Sequence, residues 1–206
     1  VIIHDGLYML EEPFVLDPDD SGSPDRPIVY AAADGASPVI SAGRRIQGLT
    51  RQDDGSWTVT VPEASDHNWV FRQLFIDGRR YIYARSPNEG QYHTVSGVPV
   101  EDEEGTAKDR FVFKAGNLNA WPDIEDIEVR LYFSWNAGTF PLQSVDPESR
   151  TAILGGPARW SIPKPGMSTA PYLVFNHPGA CDTPGEWRLD RTTGELRVIP
   201  FDDEDL

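Results

Sequence analysis

The chain has 206 residues and a formal net charge of −15, and hydrophobic residues make up 39% of it and aromatic residues 11%. This content of core-forming side chains predicts a packed globular protein rather than a disordered one. The negative charge disfavours binding to phosphate backbones and anionic lipid head groups, so the sequence predicts neither a nucleic-acid partner nor a membrane partner. No apolar run reaches the ~20 residues that span a bilayer.

The predicted elements are almost all β-strands. Short runs rich in Val, Ile, Tyr, Phe and Thr recur between clusters of Gly, Pro, Asp and Asn, and no long window keeps a helical apolar period. In chain order, strands are predicted at 1–3, 7–10, 13–17, 27–33, 38–42, 56–61, 70–76, 80–85, 91–95, 110–114, 127–135, 140–145, 150–154, 171–176, 186–190 and 195–199.

Three connections have the turn chemistry of hairpins. Asp77-Gly78 is the pair typical of a two-residue type I′ turn, in which both central residues need a positive φ. The Asp-Pro-Glu-Ser segment at 146–149 and the Thr-Thr-Gly segment at 192–194 each lie between alternating apolar runs. Each predicts a further hairpin.

The chain divides into three predicted parts. Residues 1–47 repeat about one strand pair per 20 residues, a rhythm typical of the stacked coils of a parallel β-solenoid. Residues 48–183 have longer, aromatic-rich strands, which favour an antiparallel barrel or sandwich. Residues 184–206 form a last hairpin and an acidic tail. The charged runs at 101–104 and 202–205 are expected to be solvated.

Four arginines lie in the stretch 71–88 of this acidic chain. Strand alternation places Arg72 on the same face as two aliphatic residues, where an unpaired charge is costly. Arg79 and Arg80 flank the turn and are expected to be solvated, whereas Arg85 precedes a loop. Arg72 and Arg85 therefore have two interpretations, as contacts for an acidic ligand or as members of buttressing ion pairs.

The sequence predicts no metal site and no cofactor. Residues 17–25 imitate the start of a calcium loop, but Ile28 stands where the bidentate Glu is required, which favours an Asx-type turn. The four histidines lack zinc-ligand spacing, and no phosphate-binding glycine loop or serine-nucleophile motif occurs. The single cysteine, Cys181, is expected to be a packed thiol.

Trp135 is the first candidate for contact with a sugar ring. An aromatic plane stacks on the apolar C–H face of a pyranose, and the Asn-Ala-Gly segment after Trp135 ends its strand. The other tryptophans are expected mainly in the core. Glycosidic hydrolysis needs two carboxyl groups closer than the ~13 Å that strand rise places between Glu186 and Asp190, so no catalytic pair is predicted.

Several stretches in order resemble one protein family. They are "DGLYML", "FVLDPDDSGSPDRPIVYAAADGASPVISAGRRIQG", "DGSWTVTVP", "FRQLFIDGRRYIYARSPNEG", "FSWNAGTFPLQSVD" and "PGEWRLDRTTGELRVIP". Together they resemble the N-terminal region of secreted bacterial right-handed parallel β-helix proteins related to glycoside hydrolases and pectate-lyase-like enzymes. The resemblance implies an all-β chain, with an antiparallel barrel or sandwich inserted next to the first coils of a β-helix.

The same resemblance implies a function. The catalytic carboxylates would lie on later coils outside this chain, and the parent protein would be secreted or periplasmic and act on polysaccharide. Arg85 and Asn88, in the matching "ARSPN" stretch, would border a groove, and Arg72 and Trp135 complete the candidate substrate contacts. The partners expected are carbohydrate and the remainder of the β-helix. A stand-alone carbohydrate-binding module and a purely structural cap are the alternatives.

Overall fold

The computed structural model describes residues 1–97, 107–164, 166–204 and 206, and the acidic run at 101–104 lies outside them. Over these residues the predicted all-β class is confirmed, since the only helical elements are three short 3-10 segments, Pro18–Asp20, Pro62–His67 and Ile124–Asp126. The described ranges contain no helix with the length and apolarity needed to cross a bilayer. The chain forms two compact units, Val1–Gln47 and Gly48–Leu206.

The strands in chain order are β1 (Ile2–Ile3), β2 (Leu7–Met9), β3 (Ala31–Ala32), β4 (Val39–Ser41), β5 (Thr50–Arg51), β6 (Trp57–Thr60), β7 (Leu74–Ile76), β8 (Arg79–Tyr83), β9 (Arg85–Ser86), β10 (His93–Thr94), β11 (Arg110–Val112), β12 (Glu128–Tyr132), β13 (Ala137–Asp146), β14 (Thr151–Leu154), β15 (Pro171–Phe175), β16 (Glu186–Leu189) and β17 (Glu195–Val198).

The first unit consists of two parallel strand pairs. β1 pairs with β3, with Ile2 opposite Ala31, and β2 pairs with β4, with Leu7 opposite Val39. The chain therefore makes two strands, crosses over, and lays two more strands beside them in the same order. No side chain of residues 1–47 is buried.

The strand predicted at 13–17 is wrong. This segment is extended but has no ladder partner, and its apolar side chains are exposed. It runs into the 3-10 turn Pro18–Asp20, where Asp17 accepts a hydrogen bond from the Asp19 N–H and Asp20 accepts one from the Asp17 N–H. A β-propensity run becomes a strand only where a neighbour supplies backbone partners.

A six-stranded sheet begins the second unit, in the order β5-β6-β17-β16-β8-β7. The hairpin β16–β17, which is the last in the chain, lies in the middle of this sheet. β17 pairs antiparallel with β6, and β16 pairs parallel with β8. The assignment of 184–206 as the return to a β-helix stays a prediction, as does the assignment of 48–183 as an insert.

A seven-stranded antiparallel sheet completes the second unit, in the order β10-β15-β12-β13-β14-β11, with β9 also beside β15. The ten-residue β13 pairs first with β12 and then, after an irregularity between Leu142 and Ser144, with β14. The main core lies on this sheet and includes Phe111, Phe113, Leu118, Ile127, Val129, Leu131, Leu142, Leu154, Ile162, Tyr172 and Val174.

The chain passes between the two sheets of the second unit at Ala84. β8 belongs to the six-stranded sheet and β9 to the seven-stranded sheet, and the buried Ala84 is the one residue between them. Its N–H donates to the Trp187 carbonyl at 2.8 Å, and its carbonyl accepts from the Asn176 N–H at 2.9 Å. The backbone at Ala84 therefore holds the two sheets together.

The three predicted hairpins are confirmed. Asp77 and Gly78 have φ values of 47° and 79°, as a type I′ turn requires, and join β7 to β8. β13 and β14 meet across the Asp146–Thr151 pair, and β16 and β17 meet across the Leu189–Leu196 pair.

The acidic tail forms ion pairs with Arg79 at the protein surface. The Arg79 guanidinium lies 3.4 Å from the Phe201 ring centroid, and its Nη1 donates to Asp203 at 2.9 Å and Glu204 at 3.1 Å. Glu204 also accepts a hydrogen bond from the Tyr81 hydroxyl. Arg79, Asp202 and Asp203 are exposed, as predicted, and Glu204 is half-buried. The sequence did not predict the ion pairs, which form because the fold brings the opposite charges together.

Candidate functional site

The most exposed aromatic side chain of the described residues, Trp135, belongs to a cluster with two cations and a second tryptophan. Trp135 is 79% exposed and lies in the turn between β12 and β13. The Lys164 ammonium lies 4.0 Å from the Trp135 ring centroid and 4.8 Å from that of Trp160. The Arg159 guanidinium lies 5.5 Å from the Trp160 centroid. These four residues are called the tryptophan–lysine cluster below.

The core holds both loops that carry the cluster. In the loop between β14 and β15, the buried residues Ala158 and Ile162 flank Arg159 and Trp160. The Ala158 N–H donates to the Lys108 carbonyl at 2.7 Å, and the Ile162 N–H donates to the Ala107 carbonyl at 2.8 Å. Between these two buried positions, Arg159 is exposed and Trp160 is partly buried and packs against the core.

The turn that carries Trp135 is fixed in a similar way. Phe133 is buried, and its N–H donates to the Asn136 carbonyl at 2.8 Å. The Ser134 hydroxyl donates to the Met167 sulfur at 3.8 Å, which links this turn to the other loop of the cluster. The cluster is therefore partly preorganised, which reduces the entropy lost when a ligand binds.

Two tyrosines lie at the same end of the seven-stranded sheet. Tyr132 is the last residue of β12 and meets Tyr92 edge-on, with ring centroids 5.3 Å apart. The register places Leu131 opposite Tyr172 and Tyr172 opposite His93. This end of the sheet therefore presents aromatic surface of the kind that stacks on sugar rings.

Arg72 forms a two-pronged ion pair with a buried carboxylate. Its Nε donates to Glu128 Oε2 at 2.9 Å, and its Nη2 donates to Glu128 Oε1 at 2.6 Å. Glu128 begins β12 and is 3% exposed. Of the two interpretations given to Arg72, this geometry corresponds to the buttressing ion pair.

A second arginine binds the same carboxylate. The Arg191 side chain is 7% exposed, and its Nη2 lies 3.2 Å from Glu128 Oε1 and 3.1 Å from the Tyr83 hydroxyl oxygen. Burial acts to raise the pKa of Glu128, but hydrogen bonds and charge from the two arginines outweigh it and lower that pKa. Glu128 is therefore ionised at neutral pH. Arg72, Tyr83, Glu128 and Arg191 are called the Glu128 network.

Next to this network lies a carboxyl group whose pKa is shifted in the opposite direction. Asp126 is 0% exposed, and burial raises its pKa although its Oδ2 accepts a 2.6 Å hydrogen bond from the Arg191 N–H. The Nδ1 atom of the half-exposed His67 lies 3.3 Å from Asp126 Oδ1. Two neighbouring carboxyl groups with opposite shifts suit acid and base roles, but both are shut away from solvent. Their hydrogen bonds to Arg72 and Arg191 link residues of the two sheets.

Arg85 and Asn88 lie on and after β9. Arg85 is half-buried and opposite Phe175 of β15. Asn88 Nδ2 donates to Asp182 Oδ1 at 3.1 Å. Substrate contact by these two residues stays a prediction, as it does for Arg72 and Trp135.

The structure does not bring the four predicted contacts together. Phe175 of β15 is opposite Arg85 of β9 on one side and opposite Glu128 of β12 on the other. Glu128 is the ion-pair partner of Arg72. Trp135 lies in the turn beyond the opposite end of β12, a strand that is about 13 Å long by strand rise. Arg72 and Arg85 therefore lie at one end of the sheet, and Trp135 lies at the other.

Sequence reasoning missed Lys164 and Glu128. Lys164 follows a proline in an irregular loop, and nothing local indicates that its ammonium reaches Trp135. Glu128 starts an apolar strand, and a charge in such a run is a signal that an ion-pair partner is required. Among the tryptophans expected in the core, Trp187 is fully buried, and Trp121 is partly buried and stacks on His177 at 4.8 Å.

The remaining chemical candidates are enclosed or occupied. Within the described ranges, no three His, Cys, Asp or Glu side chains group closely enough to hold a metal ion. Burial raises the pKa of the Cys181 thiol to about 12 and so keeps it protonated. Glu186 is buried, and its Oε2 accepts hydrogen bonds from the N–H groups of Asp182 and Thr183.

Comparison with known proteins gave one structural likeness. No family model matches the chain, and no curated protein matches it. A solved structure named "Glycoside hydrolase" is similar over 100% of this chain, with a TM-score of 0.69 and 23% sequence identity. The chain spans only 36% of the length of that structure. At this identity the likeness shows a shared fold.

Proposed function

We propose that the chain is the N-terminal accessory region of a carbohydrate-active parallel β-helix protein. Residues 1–47 form the first coils of the helix, residues 48–183 an inserted β domain, and residues 184–206 the hairpin that returns to the helix. The parent protein is a secreted or periplasmic glycoside hydrolase on polysaccharide. Its catalytic residues lie on coils outside this chain.

The observation that carries this proposal is the pairing of the first four strands. β1 pairs with β3 and β2 with β4, all in parallel, at sequence offsets of 29 residues for Ile2 to Ala31 and 32 residues for Leu7 to Val39. Parallel strands that stack in the same order are the repeating pattern of a solenoid. Successive coils of such a fold each need a neighbour to bury their apolar face.

The exposure of the first unit supports the same proposal. Large apolar side chains of the first unit, such as Ile2, Phe14, Val15 and Ile40, are more than half exposed. Exposed apolar surface of this extent is typical of a surface that another structural element covers. A further parallel coil fits it, because β3 and β4 each have a pairing partner on one side in the described structure.

The structural neighbour supports the carbohydrate part of the proposal. It is named a glycoside hydrolase, shares the fold over the whole of this chain, and is nearly three times as long. A protein of that length has room for further coils that carry a catalytic pair. In this chain Asp126, Glu128 and Glu186 are buried, so these three acids do not form an exposed catalytic pair.

The test is to read the coding sequence beyond Leu206 and assay the encoded protein. We expect solenoid-like repeats there, and release of reducing sugars from polysaccharide by the full-length protein but not by residues 1–206. Unsaturated products would indicate a lyase instead of a hydrolase. A full-length protein without repeats would contradict the proposal.

Exposure of Trp135 favours a second candidate, a carbohydrate-binding module that acts without the catalytic coils. This candidate predicts glycan affinity in residues 1–206 themselves, and loss of that affinity in Trp135→Ala. The structural-cap alternative predicts equal, background signals for both proteins on a glycan array. Affinity that Trp135→Ala leaves unchanged would contradict the module as assigned to Trp135.

A further inference from the structure

The tryptophan–lysine cluster joins two features that rarely coincide on an acidic surface. Its Trp135 ring is largely open to solvent, while most aromatic rings of the second unit are packed. It also presents Lys164 and Arg159 within 5.5 Å of tryptophan rings, in a chain with a formal charge of −15. In the part of the chain that the structure describes, no carboxylate forms an ion pair with either cation.

The position of Lys164 places a positive charge beside the exposed ring of Trp135. The ammonium lies over two rings at 4.0 and 4.8 Å, so the cation–π contacts hold the charge beside the open Trp135 indole. A sugar that stacks on the free part of this indole would place its ring substituents next to the ammonium. The ammonium retains N–H donors that the aromatic faces do not use.

The chemistry of these donors selects the ligand class. A hydrogen bond from an ammonium or guanidinium to an anionic oxygen is about twice as strong as one between neutral groups. A neutral sugar would leave most of this potential unused. The overall negative charge repels anions from the rest of the surface, so a local cationic site also limits where an anionic chain binds.

We infer that the tryptophan–lysine cluster binds an anionic oligosaccharide, with a sugar ring on Trp135 and its carboxylate or sulfate on Lys164 and Arg159. The inference rests on the carbohydrate part of the proposed function and names the ligand class for it. Carboxylate and sulfate offer the same oxygen acceptors, so experiment must separate these two sources.

The test is calorimetric titration of the full chain with matched ligand pairs. One pair is an oligoglucuronate and its methyl ester, and the other is a sulfated galacto-oligosaccharide and its desulfated form. We expect one charged ligand to bind about tenfold or more tightly than its neutral partner. Added salt should reduce this preference.

Three variants separate charge from stacking. Lys164→Met keeps an unbranched side chain of similar length and removes the charge. It should abolish the preference for the charged ligand and change the affinity for the neutral ligand little. Trp135→Ala should weaken the binding of both the charged and the neutral ligand. Because the Trp135 side chain is exposed, the melting temperature of the protein should stay unchanged. Lys114→Met, at an exposed lysine in another loop, is the control and should bind like the wild type.

Equal affinity for charged and neutral partners would overturn the inference and leave a neutral-sugar site. An intact preference in Lys164→Met would overturn it as well, as would a lack of binding to every ligand. None of these binding results tests the proposed coils beyond Leu206. The proposed function is tested separately, by the coding sequence and the activity of the full-length protein.

Discussion

Glu128 is a buried carboxylate that two arginines bind at the junction of the two sheets. It accepts hydrogen bonds from Arg72, which precedes β7, and from Arg191, which follows β16. Strand alternation predicted that Arg72 needs a partner, but that partner lies 56 residues away in the sequence. The requirement is local, whereas the residue that meets it is decided by how the sheets pack.

Glu128→Gln tests this role. The substitution keeps the volume and removes the charge that compensates the buried Arg191, so we expect a loss of about 3 kcal/mol or more in the free energy of unfolding. Urea denaturation measures it. Asp203→Asn, which breaks the exposed pair with Arg79, is the control. It should lower the urea midpoint of unfolding far less than Glu128→Gln does. Equal effects of the two substitutions would contradict a supporting role for Glu128.

The same network has a definite pH dependence. Since the pKa of Glu128 is lowered in the folded state, its contribution is present above the ordinary pKa of ~4.3 and is lost as the pH falls through the folded value. Stability that Glu128 provides should therefore disappear in acid.

His177 gives a second pH prediction. Burial against Trp121 lowers its pKa to about 4, so between pH ~6.5 and 4 the unfolded chain takes up a proton that the folded chain excludes. Stability should fall by up to ~3 kcal/mol over this window as the pH decreases. His177→Phe keeps the stacked ring and should remove this part of the slope. Unfolding free energies of both proteins at several pH values measure the difference, and identical slopes would contradict it.

At the scale of elements, the strands and turns follow from local chemistry. The sequence pattern placed β8, β14 and β15 within a residue or two of their bounds, whereas the strand predicted at 127–135 extends three residues beyond the end of β12. The Asp77-Gly78 pair fixed its turn because few residues accept a positive φ. The segment 13–17 failed for the opposite reason, since its side chains favour a strand but no neighbouring backbone pairs with it.

The central hairpin β16–β17 offers a prediction at this scale. Gly194 has a φ of 76°, and a Cβ there would lie 2.5 Å from the Val61 carbonyl oxygen. Gly194→Ala should therefore cost more than the ~1–2 kcal/mol of a positive φ alone, because it pushes the hairpin from β6. Gly55→Ala is the matched control, with a φ of 84° and nothing within 4 Å of the added carbon. Equal decreases in the melting temperatures of Gly194→Ala and Gly55→Ala would contradict the steric explanation.

At the scale of the whole molecule, the two compact units differ in what stabilises them. The second unit contains the hydrophobic core, whereas residues 1–47 bury no side chain. Ordering a chain without burial is unfavourable, because each ordered residue loses backbone entropy. In the proposed function, a further coil of the β-helix would cover the exposed apolar side chains of the first unit.

This difference can be measured by producing the two units separately. Residues 48–206 should unfold cooperatively, because the core strands all lie within them. A peptide of residues 1–47 should remain disordered, with narrow amide dispersion in its NMR spectrum. A well-dispersed spectrum from the isolated peptide would show that the coil is stable without a covering element.

The sequence by itself determined the all-β class, the hairpins and most strand positions, because alternation, turn chemistry and β-propensity act over a few residues. It also marked Arg72 as a charge in need of a partner and Trp135 as an aromatic residue at a strand end. Only the tertiary structure decided that β16–β17 lies between β6 and β8, that Glu128 is the partner of Arg72, and that Lys164 lies beside Trp135. These contacts join residues far apart in the chain, and they form only when the burial of a common core sets the distances between sheets and loops.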